Sequence, residues 1–378
     1  MDSSNVSSAI PAFDYLRGLA SLRGQIDAAV CGVLDSGRLI LGPEVSGFEA
    51  EFADFVGSRF AVGVGSGTDA LILALRACGV GAGAEVVTVA NGCVPTIAAI
   101  RAVGAKPKFV DVAEDDLQID VQQVAGALTA DTRAVMPVHL YGYPAPIDEL
   151  AELLAGRDVM IIEDCAQAHG TQLGSAHAGT MGQIGCYSFY PTKNLGAFGD
   201  GGMCVTNDAD LAETVKRQRM YGYNGDRIAH EEGLNSRLDE LQAALLRVKL
   251  THLNDGIERR NAIARRYLEG LESTCLGLPC VPEDGVHAWH QFVVRHPRRD
   301  DVRRELQRAN VHTGVHYPDP VHRMPAYRTF CPTDLSLPVT ELACREVFSI
   351  PVFPELTDSE VVRVIDVLTE AVKVVGAE

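Results

Sequence analysis

Lysine is scarce in this chain. Six occur in 378 residues: Lys106, Lys108, Lys193, Lys216, Lys249 and Lys373. Lys and Arg together number 33 against 50 Asp and Glu, a formal charge of -17 at pH 7. Neutralising a nucleic-acid backbone needs clustered cations, so this balance excludes nucleic acid as the main partner. It leaves room for a small phosphate-bearing ligand, which needs only local donors. No apolar run approaches the roughly 18 residues of a membrane helix, so no membrane partner is expected. The first 15 residues, MDSSNVSSAIPAFDY, have neither a basic start nor an apolar centre and do not read as a signal peptide. The ten cysteines form no CxxC pair. Free thiols in a cytoplasmic protein are expected, without a disulfide framework or a metal site.

What is present is an ordinary enzyme balance, 47% hydrophobic and 22% charged, in a chain long enough for two domains. Helical patterns over 19–35 and 45–56 precede a strand at 60–64. From there strands and helices alternate: strands at 85–89, 108–112, 134–139 and 159–163, and helices after residue 68 and at 96–103, 121–128 and 147–154. Thr68 and Asp69 are candidate caps of the helix that follows them. The alternation predicts an α/β fold with a mostly parallel sheet covered by helices on both faces. Strands at 185–189 and 202–206 can make that sheet mixed. A helix at 210–218 follows, then a long one at 238–250 that continues after Asn254 into a charged helix over 256–268. A second, smaller domain is expected from about residue 255, with a strand at 290–294 and helices at 301–309 and 359–374. The segment 314–328, GVHYPDPVHRMPAYR, is too rich in Pro, His and Tyr for a regular element. An ordered loop of that length is more often functional than idle.

Residues 161–200 carry the chemistry. Asp164 follows an apolar run, IIED, and Lys193 sits 29 positions later between the aromatic strand CYSFY and the glycine-rich turn NLGAFGDGG. Ligands of open parallel sheets collect beyond the C-terminal strand ends. A carboxylate there can hold a pyridine nitrogen protonated, and an isolated lysine can form a Schiff base and carry a proton, as pyridoxal 5'-phosphate chemistry requires. Gln167 can face the same ligand. His169 reads equally as packing or as a local hydrogen-bond partner. For the phosphate, Gly67 and Thr68 lie in a strand–turn–helix segment, GVGSGTDA, and Ser188 lies five residues before the lysine. The same segment partly matches a dinucleotide fingerprint, but Ala70 stands where its last glycine belongs, and a dehydrogenase leaves Asp164 and Lys193 without a role.

At these residues the chain resembles the DegT/DnrJ/EryC1/StrS family of pyridoxal-phosphate-dependent nucleotide-sugar aminotransferases. The similarity runs through LDSGRLILGPEVSGFEAEF (34–52), VGVGSGTDALILALRACGVGAGAEVVTV (62–89), PVHLYG (137–142), IEDCAQAHG (162–170), SFYPTKNLGAFGDGG (188–202) and NSRLDELQAALLRVKL (235–250). It implies a fold-type I transferase: a large domain (1–254) with a mixed, mostly parallel seven-stranded sheet, and a smaller α/β domain (255–378), against which the first 30 or so residues pack. It implies Lys193 as the Schiff-base lysine and Asp164 as the ring-nitrogen partner, with Gln167 against the ring. Gly67, Thr68 and Ser188 become the phosphate grip. Asn235 becomes a contact to the cofactor of a neighbouring subunit, so that a homodimer shares its active sites. Where many relatives carry an aromatic residue on the ring, in a segment like NTFIAT, this chain has NGCVPT, which makes Cys93 the candidate contact. The segments 220–237 and 314–323 resemble members acting on dTDP-linked 3-keto-6-deoxy sugars, with His230, His316 and Tyr317 as candidate substrate contacts.

The implied reaction passes an amino group from L-glutamate, through pyridoxamine 5'-phosphate, to a ketone of a nucleotide-linked deoxysugar, in the supply of an antibiotic or a surface glycan. The alternatives are a 4-keto-sugar or scyllo-inosose aminotransferase, a dehydratase on the same scaffold, and a non-catalytic homologue. Lys193 argues against the dehydratase. The joint presence of Asp164, Gln167, Ser188 and Lys193 argues against the non-catalytic reading.

Overall fold

Short apolar runs bounded by turn residues become the strands of one large sheet. The computed structural model describes residues 9–377; residues 1–8, part of the N-terminal stretch read above, lie outside them. In chain order come α1 (Tyr15–Ser36), α2 (Pro43–Val56), β1 (Phe60–Val64), α3 (Gly67–Ala77), β2 (Glu85–Val89), α4 (Val94–Ala102), β3 (Lys106–Val110), α5 (Val121–Ala127), β4 (Thr132–Val135), α6 (Ile147–Leu154) and β5 (Met160–Asp164). A small hairpin, β6 (Gln172–Leu173) and β7 (Ala176–His177), leads to β8 (Ile184–Ser188), β9 (Gly202–Thr206), α7 (Ala209–Gln218), α8 (Glu240–Leu250) and α9 (Leu253–Leu271). The chain ends through β10 (Gly285–Val286), β11 (Phe292–Arg295), α10 (Arg299–Arg308), α11 (Pro338–Glu346), β12 (Val347–Ile350) and α12 (Asp358–Ala377).

Seven strands form the main sheet in the order β1-β9-β8-β5-β4-β2-β3. β9 runs antiparallel to both its neighbours, and the other pairs are parallel. Strands buried on both faces need continuous apolar sequence. β1, β2 and β5 each bury their last four residues. On one face α3 and α4 pack through Leu71, Leu75 and Ile100. On another, α2 and α8 pack through Phe48, Phe52 and Leu246. A separate core gathers Tyr267, Trp289, Phe292, Phe348 and Leu368, and Ile10 near the chain start belongs to it.

Several expectations shift for identifiable reasons. The strand expected over 134–139 stops at Val135. Pro137 has no N–H to give a ladder. Its carbonyl still accepts the N–H of Asp164 at 2.9 Å, and the His139 N–H donates to the Asp164 carbonyl at 3.1 Å, so the end of β5 is held on that side. The helix expected to continue through Asn254 is two helices: α8 ends at Leu250 and α9 begins at Leu253. At the break the Thr251 hydroxyl donates to the Val248 carbonyl at 2.8 Å, an arrangement that competes with helix continuation. Thr68 and Asp69 are not caps. α3 begins at Gly67, and the Ser66 hydroxyl accepts the Asp69 N–H at 3.1 Å. The elements α11 and β12 were not anticipated.

Candidate active site

The parallel strands β5 and β8 end side by side, in the register Asp164 to Cys186, which brings Asp164 and Ser188 to one edge of the sheet. β1 leads to the start of α3 at the same edge. There Gly67 has no substitute, because a Cβ would sit 2.5 Å from the Ser188 Cβ. Beyond β8 the chain folds back as a pinned loop. The Lys193 N–H donates to the Tyr190 carbonyl at 2.9 Å, Asn194 Nδ2 to the Ala288 carbonyl at 2.8 Å, and the Phe198 N–H to Gln242 Oε1 at 2.9 Å. These bonds hold Lys193 over the strand ends.

Between them lies a cavity of about 420 Å³. Of the residues singled out in the sequence, Gly67, Thr68, Cys93, Asp164, Gln167, Ser188, Lys193, His316 and Tyr317 line it. Asn235 and His230 do not. Asn235 is exposed, and exposed His230 pairs with Asp226 at 3.0 Å within its own loop. His169 also stays out of the lining. It packs between the rings of Tyr187 and Phe189, centroids 5.3 and 5.8 Å away, and burial pushes its pKa down to about 3, so it is a neutral packing residue.

Asp164 is 3% exposed. Burial raises its pKa above the usual carboxylate range, against the Thr96 hydroxyl, the Ala166 N–H, Lys193 and His139, which favour the ionised form. Oδ2 accepts from Thr96 Oγ1 at 2.7 Å and Oδ1 from the Ala166 N–H at 3.1 Å, and each oxygen keeps acceptor capacity. Burial lowers the Lys193 pKa, against Asp164 and Cys93. An amine eased toward neutrality can act as a base or nucleophile. Gln167 is fixed at both ends: Oε1 accepts the Tyr141 N–H at 2.6 Å, and Nε2 donates to the Tyr317 hydroxyl at 3.0 Å.

Sequence reasoning passed over Thr96, His290 and Gln291, which also line the cavity. Thr96 stands in the NGCVPT segment, three residues after Cys93, and a threonine there carries no pattern of its own. His290 was placed inside a strand that begins two residues later, at Phe292. Burial and the nearby cations Lys193 and Arg260 hold the His290 pKa well below its ordinary value, so it is neutral.

A model of the DegT/DnrJ/EryC1/StrS aminotransferase family matches residues 20–369. The chain belongs to this family. It is 45% identical over 372 residues to the dTDP-3-amino-3,4,6-trideoxy-alpha-D-glucose transaminase of Streptomyces venezuelae, with 98% of each chain covered. It is 43% identical to the transaminase of the same description from Micromonospora megalomicea subsp. nigra, covering 95% of this chain and 98% of that one. The crystal structure of S. venezuelae DesV in complex with a ketimine intermediate superposes with a TM-score of 0.94 at 45% identity, covering 96% of this chain and 98% of that one.

The protein is therefore a pyridoxal-phosphate-dependent aminotransferase of fold-type I. Its cavity fits that cofactor. A buried carboxylate with spare acceptor capacity stands at a strand end, and a lysine faces the same space. The Ser66 hydroxyl caps only the Asp69 N–H, so the first N–H groups of α3 are free of intrahelical partners at a positive helix end. Among the described residues no helix is long and apolar enough to cross a membrane.

Proposed function

We propose that this aminotransferase moves the amino group of L-glutamate to the ketone of a nucleotide-linked deoxysugar, a dTDP-3-keto-6-deoxyhexose. The observation that carries the reaction is Asp164 and Lys193 lining one cavity at the sheet edge, with a glycine-lined helix start beside them. The two transaminases of dTDP-3-amino sugars, matched along almost their whole length, support the acceptor.

When bound, the cofactor supplies an electron sink for the carbon that gains or loses its proton. The protein supplies the rest. Gly67, Thr68 and Ser188 bind the phosphate through N–H and hydroxyl donors. Asp164 keeps a proton on the ring nitrogen, and the Thr96 hydroxyl favours the ionised form of Asp164 that this needs. Lys193 Nζ takes the proton from the donor carbon and later returns one to the acceptor. Gln167, locked by Tyr141 and Tyr317, limits how the ring can turn. Cys93 borders the cavity but carries no aromatic face. His316 and Tyr317 border the same cavity as substrate contacts, and the His316 ring is fixed by Ser349 Oγ at 2.8 Å.

The working unit in this reading is a cytoplasmic homodimer with shared active sites, in which Asn235 and His230 serve the neighbouring subunit. Their exposure in the single chain supports this, as do the exposed Leu16, Leu34, Leu39 and Ile40 on and just after α1. Residues 1–254 are the cofactor-holding domain and 255–378 the smaller one, with the chain start packed on the latter, a division supported by Ile10 in the C-terminal core.

The test is spectroscopic and chemical. Purified protein with cofactor shows a visible band that shifts with L-glutamate and returns with a dTDP-3-keto sugar. NMR of the product places nitrogen at C3. Dominant turnover of a dTDP-4-keto sugar or of scyllo-inosose would replace the acceptor. No band in the presence of cofactor would defeat the enzyme reading. Lys193→Ala retains the fold and some cofactor but loses transamination; full turnover in that variant would remove the proton-transfer role.

A further inference from the structure

Behind the Lys193 loop lies a second cavity, of about 290 Å³, bordered by Lys193, Asn194, Lys249, Arg260 and Glu355. A smaller one, of about 150 Å³, shares Arg260 with it and shares Thr192, His290, Gln291 and His316 with the Asp164 cavity. Arg260 thus borders both the larger and the smaller of these cavities; it does not line the Asp164 cavity, which the smaller one adjoins through their shared residues.

Arg260 is 4% exposed. Its Nη1 donates to the carbonyls of Trp289 at 3.0 Å and Val352 at 2.7 Å. Among the described residues no carboxylate forms an ion pair with it, and its remaining N–H groups have no acceptor. Among the described residues Lys249, bordering the larger cavity, gives a hydrogen bond only to the Gly196 carbonyl. Burial pulls Arg260 down to about 10 and Lys249 down to about 8, and for each the opposing influence is Glu355. Asp14, paired with Arg17, Arg259, paired with Asp358, and Asp255 border the same cavity, but among the described residues neither Lys249 nor Arg260 forms an ion pair with a carboxylate. Buried charge is costly unless paired, and a guanidinium fork matches a carboxylate with two parallel hydrogen bonds.

We propose that this cavity is a carboxylate-binding site anchored by Arg260, and that it takes the carboxylate end of the amino donor. The proposal rests on the aminotransferase reading above and adds the group that recognises the donor. A donor amino acid must bring its nitrogen to the Lys193 cavity and its carboxylate to a cation. Lys193 borders both spaces, so one small dicarboxylate can satisfy both needs. The keto acid left behind carries the same carboxylates and occupies the same anchor.

Glutarate is the probe, because it has no amino group and cannot turn over. It is titrated into the holoenzyme by calorimetry. Wild type binds it, and Arg260→Lys, which keeps the charge but loses the fork, binds it about tenfold more weakly. Glu355→Gln removes the competing carboxylate and tightens binding several-fold, a gain that damaged folding cannot mimic. In turnover, Arg260→Lys raises KM for L-glutamate and leaves KM for the ketosugar in place. Unchanged glutarate affinity in a folded Arg260→Lys protein would overturn the proposal. If that variant does not fold, Glu355→Gln decides: an unchanged or weaker affinity overturns it. Wild type that transaminates from L-glutamate but does not bind glutarate ends this inference and leaves the function standing. Wild type that transaminates from no amino acid ends the function instead.

Discussion

In the proposed role Asp164 works against its surroundings: burial favours its neutral form, yet holding a protonated ring requires its charge. Thr96 is the neighbour that redresses this, through the 2.7 Å bond to Oδ2. A hydrogen bond to a charged group contributes about 1.5–3 kcal/mol. Thr96→Val removes it, so the carboxyl is raised further. Activity that depends on ionised Asp164 falls as pH drops through its folded value, and the acid limb of the kcat/KM profile moves to higher pH. Thr96→Ser restores it. Coincident acid limbs for wild type and Thr96→Val would show that the bond does not govern the charge. Asp164 and Lys193 were legible in the sequence because each is set off from its own kind: a strand-end acid, and one of six lysines in a chain of 378 residues, placed among glycines and aromatics. Thr96 was not, because its function arises only when the first turn of α4 meets the end of β5, 68 residues away. No local pattern records that meeting.

At the level of elements, β1, β2, β9 and α6 fall where their apolar runs and flanking glycines place them. Some boundaries moved for local reasons, at Pro137 and Thr251, and others because of a tertiary partner that local propensity cannot see. The start of α2 is an example. Glu240, on α8, is 1% exposed and accepts the N–H groups of Gly42, Glu44 and Val45 at 2.6, 2.9 and 2.9 Å. Glu240→Ala strands three donors at a partly buried helix start. It should cost about 2 kcal/mol or more, read as a lower urea midpoint at unchanged slope. A loss under about 0.5 kcal/mol would mean that water replaces the carboxylate. The start of α12 carries a different device. Thr357 and Glu360 form a reciprocal cap, and Glu360 also receives Nη1 and Nη2 of Arg17 from α1, each at 2.8 Å. The Arg17 hydrogen bonds are the main reason that the Glu360 pKa is drawn down to about 2. Its folded value lies below its unfolded value, so the stabilisation is complete above about pH 4.5 and is lost as pH falls toward 2. The pair is partly solvated, which limits it to about 0.2–1 kcal/mol. Urea melts of wild type and Glu360→Gln should differ by a constant amount from pH 7 to pH 5, then by less as pH falls below about 4.5, and converge only near pH 2. A gap that is undiminished at pH 2 would assign the stability to something other than charge.

The whole molecule is where one chain stops being informative. Asn235 and His230 lie outside the cavity of their own chain, and Leu16 and Leu34 of α1 are 70% and 58% exposed. A sequence contains no coordinates for a second copy, so Asn235 and His230 were given roles by resemblance rather than by pattern. If two copies share their sites, the protein sediments at twice the 40.5 kDa chain mass. The residues also become separable by complementation. Lys193→Ala lacks the proton carrier, and Asn235→Ala lacks the contact it offers its neighbour, so each homodimer is crippled at both sites. In a hybrid, the Asn235→Ala subunit keeps its own Lys193 and receives Asn235 from its partner, which restores one complete site of two. Random pairing of equal amounts makes half of the dimers hybrid, so co-expressed variants should recover about a quarter of wild-type activity. A site built within one chain gives a different number. The mixture then shows only the average of the two parents, however the subunits pair, and Asn235 would have to act on its own cofactor or not at all.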